Sequence, residues 1–212
     1  MINNNTLINF VLCSRKRPEI LLKFIESVYQ TADSPNEIGV YIKFDDDDTD
    51  SLSKLNLFSN FPNVTTKIAP RLCGYDCIEI FIDEMLSELG QTWVAIANDD
   101  TCLVGKGWDT QLKNITENNC IVHPSQYGLN TLLKDGTVLY ENIYENLIGG
   151  APFYFVPNQC WKQYGLEKIT RPYDASIYQT LINNNWQNRF INLKWVHNRL
   201  STEILINERQ DE

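Results

Sequence analysis

Trp93-Val-Ala-Ile-Ala-Asn-Asp-Asp100 is the stretch that decides the fold. Trp93 to Ala97 is an apolar run suited to a strand buried on both faces, and it feeds directly into two acids. Ionised carboxylates are not buried without partners, so the chain must leave the core here. The same event occurs earlier. Ile38-Gly-Val-Tyr-Ile-Lys-Phe44 reads as a second buried strand and delivers Asp45-Asp46-Asp47-Asp48.

Working outward, Leu7-Ile-Asn-Phe-Val-Leu-Cys13 is a further short apolar run, and Pro18 opens a helix with Ile20, Leu21, Phe24, Ile25 and Val28 at helical spacing. Asp33-Ser-Pro-Asn36 is a turn, and Val64-Thr-Thr-Lys-Ile68 reads as a strand. Ile78, Phe81, Ile82, Met85, Leu86 and Leu89 form the apolar face of a second helix that stops at Gly90. Strands alternating with helices in this way imply right-handed crossovers and a mainly parallel sheet in an α/β domain. Ligands of such sheets collect at the carboxyl ends of the strands, where both acidic groups fall. Carboxylates converging on one rim repel each other unless a cation or ligand hydroxyls lie between them.

The second half is less regular. Gly105-Lys-Gly-Trp108 leads into a helix through Leu112, and Cys120-Ile-Val-His123 and Thr137-Val-Leu-Tyr140 read as short strands. Gly149-Gly150 precedes the apolar run Ala151–Val156, Tyr173 to Leu181 is helical, and Arg189–Leu193 with Trp195-Val196 reads as a strand or a broken pair. The tail after Ile206 is expected to fray.

The 212 residues suit one domain, and 18 basic against 27 acidic residues give a net charge of −9. That balance argues against a nucleic-acid partner. Met1–Thr6 shows no basic region followed by an apolar one, and no apolar run reaches membrane-spanning length, so a cytoplasmic address without a membrane span is expected. The six cysteines contain no C-x-x-C pair; Cys73 and Cys77 read as small core residues of one helix face.

The order of these signals, from about Ile8 to His197, resembles the GT-A glycosyltransferases, nucleotide-sugar enzymes with a Rossmann-like, mainly parallel mixed sheet flanked by helices in a single domain. The resemblance implies a nucleotide-sugar-binding half over 1–104 and an acceptor-side half over 105–212. Ser14-Arg-Lys-Arg-Pro18 is similar to the family's opening loop beneath the nucleotide, and Phe44–Ser51 to its acidic loop for base or ribose. Asn98-Asp99-Asp100 stands where the family carries its metal motif, and Gly107-Trp108-Asp109 matches a frequent companion. Gly149-Gly150 sits where a loop approaches the donor sugar, Tyr173-Asp174 where an acidic pair supplies the base, and His197 where a histidine completes the metal site. The chain departs from the pattern in Asn98, which replaces the first acid of the metal motif, and in Tyr173, which replaces the first acid of the pair.

The chemistry implied is transfer of a sugar from a nucleoside diphosphate, expected to be a UDP-sugar, to the hydroxyl of a glycan, protein or small-molecule acceptor. Mn²⁺ or Mg²⁺ would neutralise the diphosphate, and such cations favour carboxylate oxygen. Asp100 is the preferred ligand, with His197 beside it and Asp99 as a substrate contact. Asp46 or Asp45 would accept the ribose hydroxyls, while another acid of the run can cap a helix near Ser51. Arg15, Arg17 and Arg71 offer guanidinium forks to phosphate or base. Asp174 is the candidate general base of an inverting reaction, although an acid there also suits the first turn of a helix. A catalytically inactive nucleotide-sugar binder of the same fold is the alternative, and a nucleotidyltransferase lacks its glycine-rich phosphate loop.

Overall fold

The computed structural model describes residues 6–71, 81, 84–132, 138–145, 153–164 and 173–200. Its strands are β1 (Ile8–Ser14), β2 (Ile38–Asp45), β3 (Val64–Ala69), β4 (Trp93–Ile96), β5 (Thr101–Val104), β6 (Cys120–Leu132), β7 (Val138–Glu145), β8 (Phe155–Pro157) and β9 (Gln187–Leu200). The labelled helices are α1 (Pro18–Thr31), α2 (Thr49–Ser53), α3 (Trp108–Lys113), α4 (Asn158–Tyr164) and α5 (Tyr173–Asn183), and residues 84–88 are also helical.

All nine strands join one sheet in the order β3-β2-β1-β4-β8-β6-β9-β5, with β7 paired to β6. The first four strands of that order are parallel throughout. Antiparallel pairing enters at β8, which lies between β4 and β6, while β6 and β9 are again parallel. This is the α/β sheet expected from the alternating pattern, in the single-domain, Rossmann-like mixed form that the resemblance implies. β5 pairs with β9 at the far edge of the sheet, so residues before and after 104 share one sheet.

Period-two alternation assigns the strand faces. Ile8, Phe10 and Leu12 of β1 face α1, where Leu21, Phe24, Ile25 and Val28 are buried; Val11 faces the opposite layer with Met85, Leu86 and Leu181. Phe10 sits among Phe24, Trp108, Phe153 and Phe155 with ring centroids within 6.0 Å. Gly39 is required by a close approach, because a Cβ there would lie 2.3 Å from Asn9 Oδ1.

Several boundaries differ from the sequence reading. The four-residue β5 directly after Asp100, and α4, carried no signal that was read. The strands expected at 120–123 and 137–140 belong to longer β6 and β7, and of the two readings of 189–196, a strand or a broken pair, the structure has one strand, Gln187–Leu200. Ile78, Ile82, Cys73, Cys77 and the tail lie outside the described residues.

Candidate functional site

Because β2 and β4 both run parallel to β1, the two acidic segments emerge at the same end of the sheet, flanking the loop Ser14–Arg17. That loop supplies cations and N–H groups to both. Arg15 pairs with Asp45 at 3.0 Å and with Asp47; Lys16 donates its backbone N–H to Asp48 Oδ2 at 2.8 Å; Arg17 Nη2 lies 2.7 Å from Asp99 Oδ1. Ser14 Oγ donates to Asp99 Oδ2 at 2.6 Å. The repulsion expected between two bare acidic groups is thus relieved by the protein's own cations.

Asp45 is buried and is also held by Lys43, whose side chain is 3% exposed and whose ammonium donates to the Pro70 carbonyl at 3.1 Å. Lys43 and Asp45 are two residues apart on one strand and so share a face. Asp45 is thereby committed within the protein rather than presented to a ribose. Asp48, buried, caps α2 by accepting from the Ser51 N–H, as expected for one acid of the run. Its second oxygen pins Lys16, whose φ of 55° lies in the left-handed region that side chains disfavour. Asp46 and Arg71 are exposed, and Arg71 is close enough to help depress the Asp47 pKa, an effect due mainly to the Arg15 hydrogen bond.

Asp99 and Asp100 have separate environments. Burial pushes the Asp99 carboxyl up to about 6, against the opposing pull of Arg17 and of the Ser14 hydroxyl. Desolvation outweighs the ion pair because Asp99 is only 2% exposed, while Arg17 retains access to water. Asp100 is more open, with 23% of its side chain exposed and Oδ2 3.7 Å from Arg17 Nη1. The chain at His197 pairs with Thr101 across β5 and β9, next to Asp100 in sequence.

Asp99 is taken by Ser14 and Arg17, whereas Asp100, a partly exposed oxygen donor, fits the sparse protein ligation that Mg²⁺ or Mn²⁺ accept. Among the described residues no group of three or more His, Cys, Asp or Glu side chains is arranged to hold a metal ion.

Asp174 is the second residue of α5. α5 precedes β9 in the chain, and β9 runs parallel to β6. The side chains of Asp174 and His197, and all of Gly149 and Gly150, lie outside the described residues. Asp109 is buried and accepts the N–H groups of Asp33 and Ser34 at 2.8 and 2.9 Å, anchoring α3 to the end of α1. Trp108, Tyr154 and Trp195 are core residues, and His123 is buried with Nε2 2.9 Å from Asn188 Oδ1. Lys43 is a part of the rim that the sequence did not single out, and the pairing of Asp47 with Arg15 is a further contact of the acidic run. A lysine two residues before an acid in an apolar strand was a legible signal for Lys43.

The fold and rim together define a Rossmann-like α/β domain with charged groups gathered at its parallel strand ends. Crystal structures of S. aureus TarS have a similar fold: residues 1–349 match with a TM-score of 0.63 at 10% identity, covering 91% of this chain and 60% of that one. The same 1–349 region in complex with UDP matches with a TM-score of 0.59 at 9% identity, covering 88% and 61%. A longer TarS structure gives 0.63 at 10% identity, covering 92% of this chain and 37% of that one. The chain spans about 60% of the 1–349 structures, and the likeness is one of fold. No protein-family model matches the sequence, and no curated protein matches it significantly. No helix among the described residues is long and apolar enough to cross a membrane.

Proposed function

We propose that the chain is a glycosyltransferase of the GT-A type that takes a sugar from a nucleoside diphosphate, of which UDP is the best-supported, and passes it to an acceptor hydroxyl. The observation that carries the reading is the convergence of Arg15, Arg17, Asp46 and Asp100 on the carboxyl ends of β1, β2 and β4. Support also comes from the UDP complex of a protein of similar fold.

In this reading the nucleotide lies across the loop Ser14–Arg17. Asp46, exposed at the rim, accepts ribose hydroxyls in place of the committed Asp45. Arg15, Arg17 and Arg71 contact base or phosphates, Asp99 shapes the loop through Ser14 and Arg17, and Gly149 and Gly150 approach the sugar. Asp100 and His197 would hold Mn²⁺ or Mg²⁺, whose charge would offset that of the diphosphate. Asp174, at the start of α5, takes the proton of the attacking hydroxyl, and the outcome is inversion. The halves 1–104 and 105–212 serve donor and acceptor, with β5 crossing between them in the sheet, and the protein works in the cytoplasm.

Asp100→Ala tests the assignment. It should abolish Mn²⁺-dependent release of UDP from UDP-sugars while the circular dichroism stays native. Unchanged release would remove Asp100 from the reaction. The second reading, a nucleotide-sugar binder without transfer, is favoured by Tyr173 at the position of the missing acid. UDP binding without hydrolysis or transfer over an acceptor panel would select it.

A further inference from the structure

Arg15 is gripped from two sides by carboxylates of unlike character. Behind it, Asp45 has a side chain 12% exposed and accepts Arg15 Nη1 at 3.0 Å while also holding the buried Lys43. In front, Asp47 meets the guanidinium fork with both oxygens, Oδ1 to Nη1 and Oδ2 to Nη2, the latter at 3.1 Å. The Asp47 side chain is 50% exposed.

The rear contact fixes a position. Two charges buried together are expensive to desolvate, and removing one partner strands the other, so Lys43 and Asp45 form a stiff mount. Lys43 is tied in turn to the Pro70 carbonyl just beyond β3, and Ser14, the residue before Arg15, is in register with Phe44. The front contact fixes little. An exposed ion pair contributes slight net stability because water competes for both partners. Its geometry, two parallel N–H···O bonds from one guanidinium, is nevertheless the arrangement in which arginine also receives phosphate. Arg71 lies near the same carboxylate and adds positive potential there.

We propose that Asp47 is an internal stand-in for the anionic ligand: it fills the Arg15 fork until a diphosphate oxygen displaces it, while Lys43 and Asp45 keep the fork aimed at the rim. The inference rests on the nucleoside-diphosphate reading and adds to it a residue whose loss tightens binding. It also runs opposite to what an acid in this loop would do as a ribose contact, since removing a ribose contact weakens binding.

The test is calorimetric titration of the full chain with UDP, inorganic pyrophosphate and uridine, comparing the wild type with Asp47→Ala and Arg15→Met. Asp47 is exposed, so its substitution should leave the fold intact, which circular dichroism checks. The expected result is that Asp47→Ala tightens UDP and pyrophosphate by about two- to fivefold, the scale of an exposed pair, and leaves uridine unchanged. Arg15→Met should weaken both anions. Wild-type binding of UDP with weaker or unaltered affinity in Asp47→Ala would overturn the stand-in while leaving the nucleotide reading in place. Failure of wild type and Asp47→Ala alike to bind UDP or pyrophosphate would overturn both.

Discussion

Ser14 and Asp99 are joined by a 2.6 Å hydrogen bond, hydroxyl to carboxylate, that ties the last residue of β1 to the loop after β4. Arg17 reaches the other oxygen of the same carboxylate at 2.7 Å, so one buried acid fixes both ends of the loop that crosses the rim. Asp99 therefore shapes the loop from beneath, and Asp100 is the more open of the two acids.

The Asp99 carboxyl should titrate near pH 6 rather than near its ordinary 3.8. Its folded-state value is raised, so its contribution to stability is fully present below about pH 3.8 and is lost as pH rises through about 6. The loss is on the order of 2–3 kcal/mol. Thermal unfolding of wild type and Asp99→Asn across pH 4 to 7 isolates it, since other groups cancel in the difference. The wild type should lose stability relative to the variant as pH rises, and parallel curves would contradict the assignment.

Asp48→Ala should destabilise the fold by about 1–2 kcal/mol, through loss of the α2 cap and of the acceptor for the Lys16 N–H. Lys16→Gly in that background should recover part of the loss, because glycine adopts the left-handed conformation without a Cβ penalty. Urea unfolding reads both effects. Full stability of Asp48→Ala would show that the capping geometry contributes nothing.

Trp108→Ala should cost about 3–5 kcal/mol, the range for deleting a large buried aromatic. The ring is fully buried, stacks on Phe155 at 5.7 Å between centroids and donates Nε1–H to Thr31 Oγ1 at 2.9 Å. Denaturant unfolding is again the measurement. A loss below about 1 kcal/mol would place the indole outside the core, where it could serve a sugar instead.

Cys120 and Cys160 should resist iodoacetamide in the folded protein at pH 8. Burial pushes their thiols up to about 11 and about 12, and the thiolate is the reactive form. Peptide mass spectrometry after native labelling checks this, and rapid labelling of either residue would contradict their packing.

How much of this was legible depended on whether the signal was local. β1, β2 and β4 announce themselves as apolar runs closed by polar residues, β3 by its β-branched Val64, Thr65, Thr66 and Ile68, and acids follow β2 and β4 at their ends. β9 was harder to read as one long strand: buried Ile191, Leu193 and Trp195 alternate with exposed Asn192 and Lys194, but its pairing with β6 and β5 is non-local. β5 is short enough to pass for a turn. The partners of the rim acids were not legible at all. Arg15 meets Asp45, and Arg17 meets Asp99, only because β1 lies between β2 and β4, and lateral strand order is a property of the assembled sheet.

The central claim is that this rim binds a nucleoside diphosphate with a cation at Asp100. Calorimetric titration of UDP into wild type and Asp100→Ala, with and without Mn²⁺, tests it most directly. The account predicts saturable one-to-one binding that Mn²⁺ strengthens in the wild type but not in Asp100→Ala. UDP binding that is absent, or equally responsive to Mn²⁺ in both proteins, would contradict it.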